Sequence, residues 1–319
     1  MTRYRQLTSG ERHELSALKR QGLSQAQIAR ALGRHRSTVS RELRRNVKKD
    51  GAYRAALADD YARWRRSRSR RNQRFDTDAW ALVVELLKQQ WSPDQIAGRL
   101  RRNGRLSISH ETIYRYVWDD KQRGGDLYMQ LRQAGKKRRK RYGAYDSRGR
   151  LAGKRHISER PPGARNRSRV GHLEGDTVMG SFDKHCIITL VDRKTGYVMI
   201  GKLKNRTVVE TNRRAIELIN NAARRVRTLT FDNGTEFHGH QELEAQTGAT
   251  VFFATPYHSW ERGTSENTNG LIRQYLPKRQ SMANLSQDDC DTIANKINNR
   301  PRKRLGYRTP KECYELLCA

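Results

Sequence analysis

Three short signatures place carboxylates where phosphoester chemistry can use them. His172-Leu173-Glu174-Gly175-Asp176-Thr177 carries Asp176 on a strand-like run. Thr230-Phe231-Asp232-Asn233-Gly234 carries Asp232 at a strand end where a turn begins, and Thr264-Ser265-Glu266-Asn267-Thr268-Asn269-Gly270 carries Glu266 in a helical stretch. Cutting or joining a phosphodiester without a covalent enzyme intermediate requires a water or a 3′-hydroxyl made nucleophilic, and a leaving oxygen stabilised. Two Mg²⁺ ions roughly 3.5–4 Å apart do both. Mg²⁺ takes oxygen ligands and keeps several waters, so a few acids suffice to hold the pair, and Mn²⁺ can substitute. Carboxylates brought this close repel one another unless a cation sits among them. Asp176, Asp232 and Glu266 are therefore the expected catalytic and metal-holding residues, with no other cofactor.

Each acid alone has a blander reading. Asp-Asn-Gly is most often a turn, a Glu on a polar helix face is most often solvated, and Asp176 can simply cap a strand. Their joint occurrence in the order strand, strand, helix is what points to a site. The neighbouring Glu174, Asp183, Asp192, Glu236 and Glu261 are read as surface groups or as groups behind the ligands.

Positioning such a trio requires a sheet. Strand-like runs cover 173–179, 185–191, 197–203, 228–232 and 250–254, with helical stretches at 208–224, 237–246 and 259–275. Three consecutive strands followed by alternating helix and strand predict a mixed sheet flanked by helices. Upstream the pattern is helical. Thr8 with Glu11, Ser24 with Gln27, and Ser92-Pro93 with Gln95 are capping signatures, and Ser109 opens a further helix. Gly22 ends the first helix and Gly33 permits a tight turn, with Ile28, Ala29, Leu32, Val39 and Leu43 as the apolar stripe.

The spacing predicts a multidomain chain: helix-turn-helix domain 1–55, basic linker 56–75, second helical domain 76–135, basic connector 136–165, and α/β domain 166–319. On the third helix, Arg34, His35, Arg36, Ser37, Thr38, Ser40, Arg41, Arg44 and Arg45 are expected to meet DNA in a major groove. A helical bundle with a solvated basic face would share the apolar pattern. In the second segment His110, Thr112, Tyr114 and Arg115, beside Glu111, either contact DNA or pack on another domain. Arg262, Asn267 and Arg273, with Trp260, Asn269 and Lys278, flank Glu266 and can grip a phosphate backbone. Trp260 can equally pack beneath the helix.

Charge agrees with a polyanionic partner. Lys and Arg number 66 against 33 Asp and Glu, a formal net charge of +33, and phosphates screen such self-repulsion while releasing counterions. A ribosomal-type RNA binder would carry a similar charge. Cys186, Cys290, Cys313 and Cys318 form no C-x-x-C pair, so a structural zinc site is not expected and the thiols are read as free. No signal core or membrane-length apolar run is visible, which places the expected site of action in a reducing cytoplasm.

Several motifs carry a resemblance. Ile28-Ala29-Arg30-Ala31-Leu32-Gly33, Ser37-Thr38-Val39-Ser40-Arg41-Glu42-Leu43, Trp91-Ser92-Pro93-Asp94-Gln95-Ile96-Ala97, Ile108-Ser109-His110-Glu111-Thr112-Ile113-Tyr114 and Glu266-Asn267-Thr268-Asn269-Gly270-Leu271-Ile272-Arg273-Gln274-Tyr275 resemble the IS-thirty family of bacterial insertion-sequence transposases over nearly the whole chain. The resemblance implies an RNase H-like core with an Asp-Asp-Glu triad, falling by motif match on Asp176, Asp232 and Glu266. It further implies binding to terminal inverted repeats, strand transfer to target DNA through a circular intermediate, and work on the bacterial nucleoid. Joining two ends also implies a homo-oligomer, a dimer at least. Phe231, Glu261 and Asp192 stand where the family often has tryptophan, glutamine and glutamate. Two rivals remain: a DNA-binding regulator derived from such an enzyme without its chemistry, and a structure-selective nuclease.

Overall fold

The computed structural model describes residues 6–47, 51–68, 75–132, 153–181, 184–256 and 258–316. Its contacts divide the chain into Met1–Trp80 and Ala81–Ala319.

The first unit holds α1 (Ser9–Arg20), α2 (Gln25–Ala31), α3 (Arg36–Asn46) and α4 (Ala55–Arg68). Thr8 and Ser24 close reciprocal capping boxes with Glu11 and Gln27, satisfying amides that a helix start leaves unpaired. Gly33, at φ 59°, makes the turn between α2 and α3, a conformation that costs any residue with a Cβ. Leu15, Ile28, Ala29, Val39 and Leu43 form the core with Tyr53 and Ala58. The nearly fully buried Arg12 guanidinium joins Glu42 at 2.8 Å to Asp59 at 2.6 Å, tying α1 to α3 and α4.

The expected basic linker 56–75 is corrected here, because it is helical as far as Arg68. Ala55, Ala58 and Ala62 recur at helical spacing and are buried. Small residues let α4 lie close on α1 while its arginines stay outside. Residues 69–74 lie outside the described residues.

Next come α5 (Thr77–Lys88), α6 (Pro93–Arg102) and α7 (His110–Gln122). Ser92 caps α6 in a box with Gln95, and Ser109 caps α7. Ile96, Leu100, Ile113 and Val117 are buried. Most of the expected connector 136–165 falls outside the described residues. Its tail is partly packed against the sheet domain. His156 bridges to Phe253, and Ile157, Arg160 and Ala164 are buried around a 3-10 turn and the short α8 (Pro162–Arg165).

The sheet comprises β1 (His172–Met179), β2 (Cys186–Asp192), β3 (Val198–Leu203), β4 (Thr228–Phe231) and β5 (Thr250–Phe253), in the order β3-β2-β1-β4-β5. β1, β2 and β3 pair antiparallel, whereas β4 and β5 run parallel to β1. This is the mixed α/β sheet expected for an RNase H-like domain. On one face Leu173, Ile188 and Leu190 pack with α9 (Val208–Asn220) and α10 (His240–Thr247). On the other, Val178, Ile187 and Val191 pack with α11 (Gly263–Ile272) and α12 (Gln287–Asn298). α13 (Pro310–Leu316) follows. α12 and α13 had no counterpart in the sequence reading, although Cys290, Ile293, Ala294 and Ile297 recur at helical spacing. Cys186 and Cys290 are free and buried, and Cys313 is free and half-buried; Cys318 lies outside the described residues.

Candidate active site

The site begins with the alternation of β1. Successive strand side chains point to opposite faces, so Leu173 joins the α9 side while Glu174, Asp176 and Val178 share the α11 side. Glu174 sits opposite Thr230 in the parallel β1–β4 pair. The same register carried two residues further sets Asp176 beside Asp232. Asp176 Oδ1 lies 3.5 Å from one terminal nitrogen of Arg262, and Asp232 Oδ2 lies 3.3 Å from the other. An aspartate within β1 and one just past the end of β4 thus meet on one guanidinium.

α11 is pinned over β1 at two points. The backbone N–H of Ser265 donates to Glu174 Oε2 at 2.8 Å, and Asn269 Nδ2 donates to Asp176 Oδ2 at 2.7 Å. Four helix residues rise about 6 Å and two strand residues span about 6.6 Å, so both bonds form together without distortion. Glu266 follows Arg262 by four residues and precedes Asn269 by three, and that spacing puts all three on one helix face. Glu266 is exposed there and makes no ion pair among the described residues.

Burial pushes the Asp176 carboxyl above its ordinary range; Arg262 opposes this and the neighbouring Asp232 adds to it. A group in that state gains from a cation. The donors are hard oxygens, the kind Mg²⁺ and Mn²⁺ prefer. Among the described residues no set of three or more His, Cys, Asp or Glu is close enough to hold a metal ion; the two aspartates converge on Arg262 instead. Two carboxylates thus present hard oxygens to one positive group, the donor type a divalent cation takes, while Glu266 stands apart from them on the helix face that carries Arg262 and Asn269.

The other acids of the region already have partners. Glu174 is fully buried against Arg193, with which it shares a short charged hydrogen bond. Glu236 is buried, accepting from Arg206 at 2.7 Å and from Thr177 Oγ1 at 2.7 Å. Burial pushes its carboxyl up, yet the hydrogen bonds from Arg206 and Thr177 outweigh this and hold it below its ordinary range. Asp192 accepts the amides of Gly171 and Thr195, and Glu261 accepts from Thr255. Glu174, Glu236 and Asp192 are thus buried struts and not surface groups; Asp183 lies outside the described residues.

Lys154 is a neighbour that sequence reasoning merged into the basic connector. It donates to Asn233 Oδ1 at 2.7 Å. Burial pushes its ammonium down while Asp232 pulls it up. Nothing in the local sequence separates it from the surrounding charge, because β5 and the 153–165 segment meet only in the fold.

The DNA-facing candidates divide. His35, Arg36, Ser40, Arg41, Arg44 and Arg45 are exposed on α3, with Ser37 and Thr38 half-buried. Arg34 differs from expectation: it is half-buried in an ion pair with Glu11 at 2.7 Å, bracing the turn. On α7, His110 and Arg115 are exposed, Tyr114 stands edge-on to His110, and Thr112 bonds the cap Ser109. Arg262 is held by the aspartates. Arg273 donates to the carbonyls of Met179 and Leu276, so its guanidinium is engaged. Asn267 is exposed. Trp260 does not pack beneath the helix; it is 69% exposed and stacks on His258.

Comparison with known proteins places these features in context. A family model described as a helix-turn-helix domain matches residues 3–46, and one described as a homeodomain-like domain matches residues 38–117. The transposase for insertion sequence element IS4351 of Bacteroides fragilis is 40% identical over 310 residues, covering 97% of this chain and 95% of the relative. The transposase InsI for insertion sequence element IS30A of Escherichia coli K12 is 37% identical over 322 residues, covering 97% of this chain and 83% of the relative. The catalytic core domain of BIV integrase aligns with a TM-score of 0.38 at 21% identity, covering 46% of this chain and 95% of that one.

Proposed function

The chain belongs to the IS30 family of insertion-sequence transposases, and from that premise we propose that it binds the terminal inverted repeats of its own element and cuts and joins DNA strands at a divalent-cation site. Asp176, Asp232 and Glu266 hold Mg²⁺, with Mn²⁺ as substitute. The observation that carries this reading is the convergence of Asp176 and Asp232 on Arg262, beneath a helix face bearing Glu266. Bound there, a pair of ions supplies an activated water or 3′-hydroxyl and a stabilised leaving oxygen.

The chain's own residues prepare that chemistry. Asn269 orients Asp176 through a single amide hydrogen bond. Asn233 donates to the carbonyl of Ala254, and the Gly234 amide donates to Asp232 Oδ1, so the turn fixes the second carboxylate. Glu174 sets the start of α11 and with it the position of Glu266. Lys154 brings positive charge beside Asp232, where a DNA phosphate can pair with it. The outer face of α3 reads the ends in a major groove. Two ends must be held at once, so the working form is a homo-oligomer, at least a dimer. A circular intermediate with abutted ends is the proposed route, and the bacterial nucleoid the proposed location. Among the described residues no helix is long and apolar enough to cross a membrane.

The test uses full-length protein, duplexes carrying the element's ends, and Mg²⁺ or Mn²⁺. Wild type should nick and join specifically, and Glu266→Gln should abolish both while leaving end binding within about twofold. Joining at the wild-type rate by Glu266→Gln would falsify the triad. Specific end binding by wild type with no cleavage under either metal would instead favour the regulator.

A further inference from the structure

α11 has a second face, and it looks into a basic cavity. Residues 263, 264, 267 and 268 lie about half a helical turn away from Arg262, Glu266 and Asn269. They line a pocket of about 240 Å³ completed by Arg167, Arg302 and Arg304. Among the described residues no carboxylate forms an ion pair with any of these three arginines. Arg302 donates to the carbonyl of Ile297 and Arg304 to that of Lys194. Each guanidinium has five N–H donors, so both keep donors to spare. The nearest acids are spoken for, Glu174 by Arg193 and Asp192 by the amides of Gly171 and Thr195.

One further feature points to an anion. Thr264, 8% exposed and in the first turn of α11, has a hydroxyl without a hydrogen-bond partner. Arg167 holds a left-handed backbone at φ 57°, which a non-glycine residue adopts only at a cost. Burial, with repulsion from Arg300, Arg304 and Arg132, pushes the Arg302 guanidinium down to about 10. Like charges packed around an unpartnered hydroxyl at a helix start are stabilised by an anion.

We propose that this pocket binds a backbone phosphate of the DNA strand that crosses α11, using Arg167, Arg302, Arg304 and the Thr264 hydroxyl, with Asn267 at its rim. A helix is about 10 Å thick, so a strand lying over it presents one phosphate to the carboxylates and another to this cavity. The pocket thereby fixes the register of the strand relative to Glu266. The assignment rests on the reading of DNA as substrate, but not on the metal site.

The experiment measures duplex binding in EDTA, where cleavage cannot occur, as a function of salt. Each phosphate contact contributes about 0.9 to the slope of log affinity against log salt. Arg167→Gly with Arg304→Gln should reduce that slope by about 1 and weaken binding several-fold. Arg167→Gly suits the left-handed backbone, so the fold should be retained, and an unchanged melting temperature verifies it. Arg304→Lys with Arg167 intact should restore most of the slope. A wild-type slope in the folded double variant overturns the proposal. So does loss of an inorganic-phosphate thermal shift without any change in the DNA slope, which would mark a free-anion site. Failure of the triad reading appears separately, as cleavage retained by Glu266→Gln.

Discussion

The two helix pairs that precede the sheet begin from nearly the same local instructions. Each opens on a serine capping box, Ser24 with Gln27 and Ser92 with Gln95. Each then carries an Ile-Ala pair, turns through a glycine with positive φ at Gly33 or Gly104, and buries a β-branched residue, Val39 or Ile113, on the following helix. Their charged residues are used differently. In α2–α3 the buried Arg12 network and the Arg34–Glu11 pair hold the fold together and leave Arg36, Arg41, Arg44 and Arg45 exposed. In α6–α7 the cations of the first helix are taken up by residues about 210 positions away. Arg99 pairs with Glu312 and donates to the Tyr307 carbonyl, Arg102 donates to the Gly306 carbonyl, and Tyr307 Oη donates to Asp94. Arg99 and Arg102 of this segment are therefore engaged in packing. A helix-turn-helix pattern specifies how two helices cross; whether their basic face remains available to a polyanion is settled by what else packs on it.

Four tests would break or sharpen that contrast. The largest expected effect is Arg12→Ala, which leaves Glu42 and Asp59 half-buried without their cation and should cost roughly 3–5 kcal/mol. Hydrogen exchange should show the loss confined to residues 6–68; protection lost equally throughout 81–316 would contradict it. Next is Gly98→Ala. An added Cβ there would stand 2.2 Å from the Tyr307 ring, an overpacking worth about 1–3 kcal/mol, read as a lower urea midpoint. Gly98 needs space, whereas Gly33 needs its backbone angle, so Gly33→Ala should cost about 1–2 kcal/mol in the first unit instead.

Third, Arg41→Ala should weaken binding to the element's ends by about 1–3 kcal/mol with an unchanged melting temperature, and Arg115→Ala by less. Equal losses at both positions would mean that α7 reads DNA as α3 does. The smallest effect is on pH dependence. Burial raises the Glu11 and Asp59 carboxyls, but hydrogen bonds from Thr8 and Arg34, and from Ser9 and Arg12, outweigh it and hold both below their ordinary values. Their contribution is present above the ordinary carboxylate range and is lost as pH falls through the depressed values. Asp176 behaves oppositely: its raised value means that metal-free protein gains stability as pH falls through that value towards the ordinary one. In EDTA, melting curves against pH should show acid weakening the first unit, and Asp176→Asn should erase the gain in the second.

The proposed triad could be nominated from local signals. Asp176 lies within a run of period two, Asp232 opens an Asp-Asn-Gly turn, and Glu266 sits among Asn and Thr on a helix. The partners were not legible. Glu174 is two residues from Asp176 and equally acidic, yet it is a buried strut paired with Arg193 and the Ser265 amide. Arg262 looked like a phosphate ligand and instead joins the aspartates, and Lys154 was lost in a run of similar charge. α4 was hidden because three alanines between arginines read as a linker until α1 is laid against them.

Local chemistry in the sequence by itself determined the helix starts, the alternation of β1, the excess of cations and the nomination of three carboxylates, since caps, pleats and charges depend on neighbours a few positions away. Only the tertiary structure decided which acids are already neutralised, which arginines remain exposed, and that α11 divides a carboxylate pair from an arginine cavity. Those outcomes depend on burial and on partners tens to hundreds of residues distant, where desolvation and pairing set what a charge can do.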